Sequence, residues 1–266
     1  MEYHVLTSRY ILLIREDEQQ CLLHLSIKYN PMQLLPGFTT PLIRADTTLR
    51  RLEYPYLITG YLPIPTLADA WRFLDVCGKK RAAVAWGKSL KLLHHIRFDL
   101  AGDLAYPEAS GVRLSEDLEA RWQTPLQLAI KDYMLDTPKL VAALKHGQRL
   151  VTDAPITLCH GHPDAKSFLF DGPSCEVRAA LNFGNARRSD PLTDLASILS
   201  ELEALGSVEA FMQGYGVLST WEQARLGFYL LHHELQRYAL ALTHFPNKIA
   251  LSRMRLADLL ESAKTF

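Results

Sequence analysis

The sequence predicts an α+β fold in which a small β-rich lobe precedes a large helical lobe. Three observations support this. The first sixty residues carry strand-like apolar runs broken by turn formers. Apolar residues recur at three and four positions after Pro65. A cluster of short apolar runs then interrupts the helical pattern between Ile156 and Asn182.

The first stretch, Val5 to Ile14, and a second, Cys21 to Tyr29, read as two strands joined by a charged turn at residues 15–20. Pro31, Pro36 and Gly37 rule out a long helix over Asn30 to Thr40, and a further strand is expected at Tyr56 to Tyr61. Leu67, Ala70, Trp71 and Leu74, then Val84, Leu90, Leu93 and Ile96, have helical spacing, and the period continues from Leu114 to Leu150. Ile156 to Cys159, Ser167 to Phe170 and Val177 to Asn182 read as short strands, the last two joined by the turn at 171–174. Helices follow at Leu192 to Leu205, Val208 to Gly214, Trp221 to Thr243 and Lys248 to Ala263, with Pro246 ending the penultimate one. The expected division is residues 1–62 and residues 63–266, with the hairpin region at 156–186 inside the second part.

Composition narrows the function classes. With 48% hydrophobic and 22% charged residues, the 266-residue chain has the make-up of a globular protein. Formal net charge is zero and no basic arm is present, so nucleic acid is not an expected partner. No run approaches the length of a membrane span, and Cys21, Cys77, Cys159 and Cys175 form no C-x-x-C pair, so a cytoplasmic protein with reduced thiols is expected.

Residues 158–171, LCHGHPDAKSFLFD, sit where a H-G-D-x-H-x-x-N loop followed by an apolar strand would fall. Residues 180–186, ALNFGNA, correspond to I-D-F-G-x-A, and residues 189–196, SDPLTDLA, match G-D-P-x-x-D-L-A almost letter for letter. Residues 56–63, 90–94 (LKLLH) and 211–216 (FMQGYG) add segments in the same order. Together they resemble the aminoglycoside phosphotransferase and choline kinase-like family over residues of about 50–245. The resemblance implies a protein-kinase-like two-lobe fold with a reduced N-terminal lobe. It also implies that ATP and Mg²⁺ would be the cofactors if activity is retained.

The same resemblance places His162 at the catalytic Asp position, Ser167 at the metal-binding Asn and Asn182 at the metal-binding Asp, while His160 and Asp194 keep positions that tie the loop to the helical core. Phosphoryl transfer depends on positioning and on charge neutralisation by carboxylate-held metal. Exchanging Asp for the neutral Asn182 weakens a site for a hard cation, and a cationic His162 would repel one. Asp164, two residues beyond the expected place, is the candidate replacement carboxylate. Lys28 and Tyr61 are the candidate nucleotide-binding residues, although no glycine occurs before Gly37 to form a phosphate-cradling loop. The expected function is therefore a pseudokinase that binds a small molecule or a protein partner. The alternatives are a divergent active small-molecule kinase and, from the H-x-H-x-D spacing of His160, His162 and Asp164, a metal-dependent hydrolase. The pairs His94-His95 and His232-His233 are expected at the surface or the edge of the core, because adjacent helical residues point about 100° apart and cannot chelate together.

Overall fold

A computed structural model of the chain describes residues 2–7, 10–14, 35, 37–46, 50, 56–104, 110–132 and 135–262. Its first sheet contains β1 (Glu2–Thr7), β2 (Tyr10–Ile14), β3 (Leu42–Asp46) and β4 (Tyr56–Gly60), in the order β1-β2-β4-β3 and antiparallel throughout. The expected single strand over Val5 to Ile14 is thus corrected to half of one strand plus all of the next, paired from Glu2↔Ile14 to Thr7↔Tyr10. The expected strand Cys21 to Tyr29 and the candidate Lys28 lie outside the described residues.

Beyond this sheet come α1 (Leu67–Trp71) and α2 (Val76–Leu93). The Asp75 side chain caps α2, accepting from the Gly78 N–H at 2.6 Å, and Ala82, Ala83, Trp86, Leu90 and Leu93 bury one face at helical spacing. The expected helical run Leu114 to Leu150 is two helices, α3 (Leu114–Ala129) and α4 (Thr137–Leu150). Asp136 caps α4 and Pro138 sits in its first turn, where a missing N–H is tolerated. The C-terminal part is α5 (Leu192–Ala204), α6 (Val208–Tyr215), α7 (Thr220–His244) and α8 (Ile249–Ser262). A reciprocal capping box between Ser219 and Glu222 starts α7.

Helices α2 and α6 approach closely through glycines. A Cβ on Gly87 would lie 2.2 Å from the Phe211 carbonyl oxygen, and one on Gly214 2.0 Å from that of Val84. This contact fixes α2, whose Trp86 side chain reaches the loop at Pro163, against α6.

Short strands then deliver the loop. β5 (Arg97–Phe98), β7 (Ile156–Cys159), β10 (Arg187–Ser189) and β6 (Gly102–Asp103) form a sheet in that order, and β8 (Phe168–Asp171) pairs with β9 (Glu176–Ala180). Ser167, expected to open a strand, instead closes a 3₁₀ turn, Ala165–Ser167. Leu158, Cys159, Phe168 and Phe170 are buried, so these strands are anchored by burial rather than length. Among the described residues, no helix is long and apolar enough to cross a membrane.

Candidate functional site

His160 follows β7 directly, Asn182 follows β9, and Asp190 follows β10, so three strand ends bring the motif residues to one region. Asp194, in the first turn of α5, is the anchor. Its Oδ2 accepts the His160 backbone N–H at 2.7 Å and its Oδ1 accepts that of Gly161 at 2.8 Å. His94 Nε2 is 3.1 Å from Oδ2, and because a carboxylate only accepts, Nε2 carries the proton. Nδ1 then meets the Tyr215 hydroxyl at 2.8 Å. Gly161 has φ +82°, and a Cβ there would lie 2.0 Å from the Asn185 carbonyl oxygen, so both the turn and the space require glycine.

His160 is fully buried. Its Nε2 donates to the Leu181 carbonyl at 2.7 Å, while Nδ1 faces the His162 N–H at 3.4 Å. Burial lowers its pKa and keeps the ring neutral. Both ring nitrogens of His160 are thus engaged inside the protein, turned away from the exposed His162 side chain. A second ring of donors surrounds Asp190, which accepts from the Leu192 N–H, Arg225 Nε and the Tyr229 hydroxyl at 2.9, 2.9 and 3.1 Å. Trp86 Nε1 donates to the Pro163 carbonyl at 3.1 Å and pins the middle of the loop.

The chemistry-bearing part of the loop is more open. The His162 side chain is 60% exposed, with Nε2 3.4 Å from Asp164 Oδ2. The hydrogen bond to Asp164 raises the His162 pKa against the opposing effect of burial. Burial pushes the Asp164 carboxyl upward but is outweighed by hydrogen bonds from His162 and Ser167, so it lies below the usual range. Ser167 is buried, and its hydroxyl lies 2.7 Å from Asp164 Oδ1 and 3.2 Å from the His162 carbonyl. Asn182 is exposed and left-handed, with φ 60° and ψ 42°, a conformation asparagine tolerates better than most non-glycine residues. Tyr61 is half-buried in the connection immediately after β4.

This set fits a Mg²⁺-bound triphosphate poorly. Ser167 is turned into the loop, Asn182 contributes no charge, and His162 stands where a carboxylate would be needed. Among the described residues, His94, Cys159 and Asp194 bring possible ligand atoms within 4.8 Å of one another, buried behind the loop. They form a hydrogen-bonded core. Burial raises the Cys159 thiol well above its usual pKa, and its Sγ faces the carbonyls of Ser189 and Asp190 at 3.3 Å.

Several residues here escaped the sequence reading. His94 and His232 are 5% and 4% exposed, further inside than the surface or core-edge position expected of them, whereas His95 is exposed and His233 half-buried. The L-x-x-L-H segment was the available signal for His94. Glu201, on α5, receives the Ala165 N–H, and burial followed by the Asp164 charge raises its carboxyl pKa. Nothing in the spacing of Glu201 pointed to the loop.

The architecture, a small antiparallel sheet followed by a helical lobe carrying a loop and hairpin, is a protein-kinase-like two-lobe fold. The chain belongs to the phosphotransferase enzyme family, whose model matches residues 16–226. Among solved structures it is similar to a GDP complex of aminoglycoside 2'-phosphotransferase-IIIa, with 16% identity, TM-score 0.66, and coverage of 99% of this chain and 88% of that one. It is also similar to a thermostable mutant of aminoglycoside phosphotransferase APH(4)-Ia in ternary complex with AMP-PNP and hygromycin B, with 16% identity, TM-score 0.67, and 95% and 86% coverage. A third similar structure is an aminoglycoside-3'-phosphotransferase of type VIII, with 18% identity, TM-score 0.58, and 88% and 93% coverage. No curated protein matches the chain in sequence.

Proposed function

We propose that this family member works as a binder of a small molecule or a protein partner and has lost efficient Mg²⁺-dependent phosphoryl transfer. The observation that carries the reading is the pairing of His162 with Asp164. The side chain at the catalytic position is held towards its cationic form by Asp164, the candidate replacement carboxylate. An imidazolium does not take a proton from a hydroxyl and disfavours a nearby divalent cation. Asp164, engaged by His162 and Ser167, is committed to holding the loop together.

The neighbouring wall also argues against a cationic ligand, because it presents the guanidiniums of Arg121 and Arg187. The test is ADP release from Mg-ATP across a panel of hydroxyl and amino compounds. Wild-type protein should release ADP at the no-protein rate with every compound. Turnover that disappears in Asp164→Ala would instead support the active-kinase alternative.

A further inference from the structure

We propose that the cavity walled by α3, β10, α5 and α7, next to Gly161 and Asp194, binds a small oxyanion, a carboxylate or phosphate group on a compact molecule. The cavity measures about 130 Å³, and Arg121, Arg187, His232, His233 and Gln236 are among its lining residues.

The donors at this wall outnumber their acceptors. Arg187 Nη2 lies 2.6 and 2.9 Å from the two Asp117 oxygens, and its Nη1 is 3.7 Å from Asp103. Asp117 is then largely used. Its nearest approach to Arg121 is 4.0 Å, beyond hydrogen-bond distance. Arg121 Nη1, Arg187 Nε and His232 Nε2 are buried with no hydrogen-bond partner among the described residues. Such groups are expensive to leave unmatched, and buried ones are normally paired.

The remaining carboxylate of the lining does not meet this need. Asp194 spends both oxygens on His160, Gly161 and His94 behind the loop. Burial, then the adjacent charge of Arg187, lowers the Arg121 pKa to about 10 despite Asp117, a sign that its positive charge is under-compensated. Burial pushes His232 and His233 down to about 3 and about 4, so at neutral pH both rings are neutral and offer an N–H without adding charge. Two guanidiniums with neutral donors beside them match an oxyanion, since arginine's fork suits carboxylate and phosphate oxygens.

The proposal deepens the binder reading and rests on it for its meaning, but the two are tested separately: anion binding is read without nucleotide, and ADP release without added anion. Isothermal titration calorimetry of the full chain with inorganic phosphate and with malonate should show saturable binding of at least one. The tighter of the two identifies the oxyanion type. Arg121→Gln should weaken binding by at least about tenfold, roughly 1.4 kcal/mol. Gln236→Glu, which sets a negative charge on the same wall while leaving the arginines in place, should weaken it similarly and covers the case in which Arg121→Gln does not fold. Arg178→Gln, on the exposed β8–β9 hairpin, should leave it unchanged. Absence of saturable binding by both anions, or binding indifferent to the two cavity variants, would overturn the proposal.

Discussion

Replacing Asp194 by alanine removes the acceptor for two backbone N–H groups at 2.7 and 2.8 Å and for His94 at 3.1 Å, all in a region where Asp194 is 1% exposed. Orphaning a buried donor costs about 1–3 kcal/mol, and hydrogen bonds to a charged group sit toward the upper end of the net range. Two stranded backbone donors and one stranded imidazole therefore predict a loss of about 4 kcal/mol, allowing for partial rescue by water. With a urea slope of about 3 kcal/mol per molar, the unfolding midpoint should fall by more than about 1 M. Equilibrium urea unfolding followed by circular dichroism is the assay. Asp164→Ala is the comparison, since that carboxylate is only partly buried, the exposed His162 can turn to water and the buried Ser167 hydroxyl keeps the His162 carbonyl as its acceptor; it should change stability by less than about 1 kcal/mol. An Asp194→Ala protein within about 1 kcal/mol of wild type would refute the claim that this carboxylate organises the loop.

Two further perturbations probe the frame around the site. Burial lowers the His232 pKa to about 3, whereas the unfolded chain titrates near the ordinary value of about 6.5, so between these values the unfolded state holds more protons. The stabilising contribution is present above that upper value and is lost as pH falls through the window, at up to about 1.4 kcal/mol per pH unit. Urea midpoints measured from pH 7 to 4.5 should fall, and His232→Gln should flatten the slope. Gly214→Ala places a Cβ 2.0 Å from the Val84 carbonyl oxygen and should push α2 and α6 apart, lowering stability by about 2 kcal/mol or more in thermal or urea unfolding.

How far the sequence could be read depended on the range of the interaction. Helices α2, α5 and α7 were legible because their buried faces repeat at three and four residues, and the Ser-Asp-Pro…Asp-Leu-Ala run located the loop anchor before any contact was known. β10, only Arg187–Ser189, could not be read because its strand character comes from pairing with β7 and β6, distant in sequence. The same holds for the cavity wall. Arg121 lies on α3, Arg187 on β10 and His232 on α7, and no local pattern marks three residues whose only relation is proximity after folding. The depth of His94 and His232 was hidden for a related reason: helical spacing fixes which way a side chain points but not what the rest of the chain places opposite it.

Loss of Mg²⁺-dependent nucleotide handling is read most directly by a thermal-shift titration with ATP in the presence and absence of Mg²⁺, because ligand binding to the folded state raises apparent stability by mass action. Mg²⁺ should add no nucleotide-dependent stabilisation. A Mg²⁺-dependent rise in melting temperature that Asn182→Ala abolishes would contradict it.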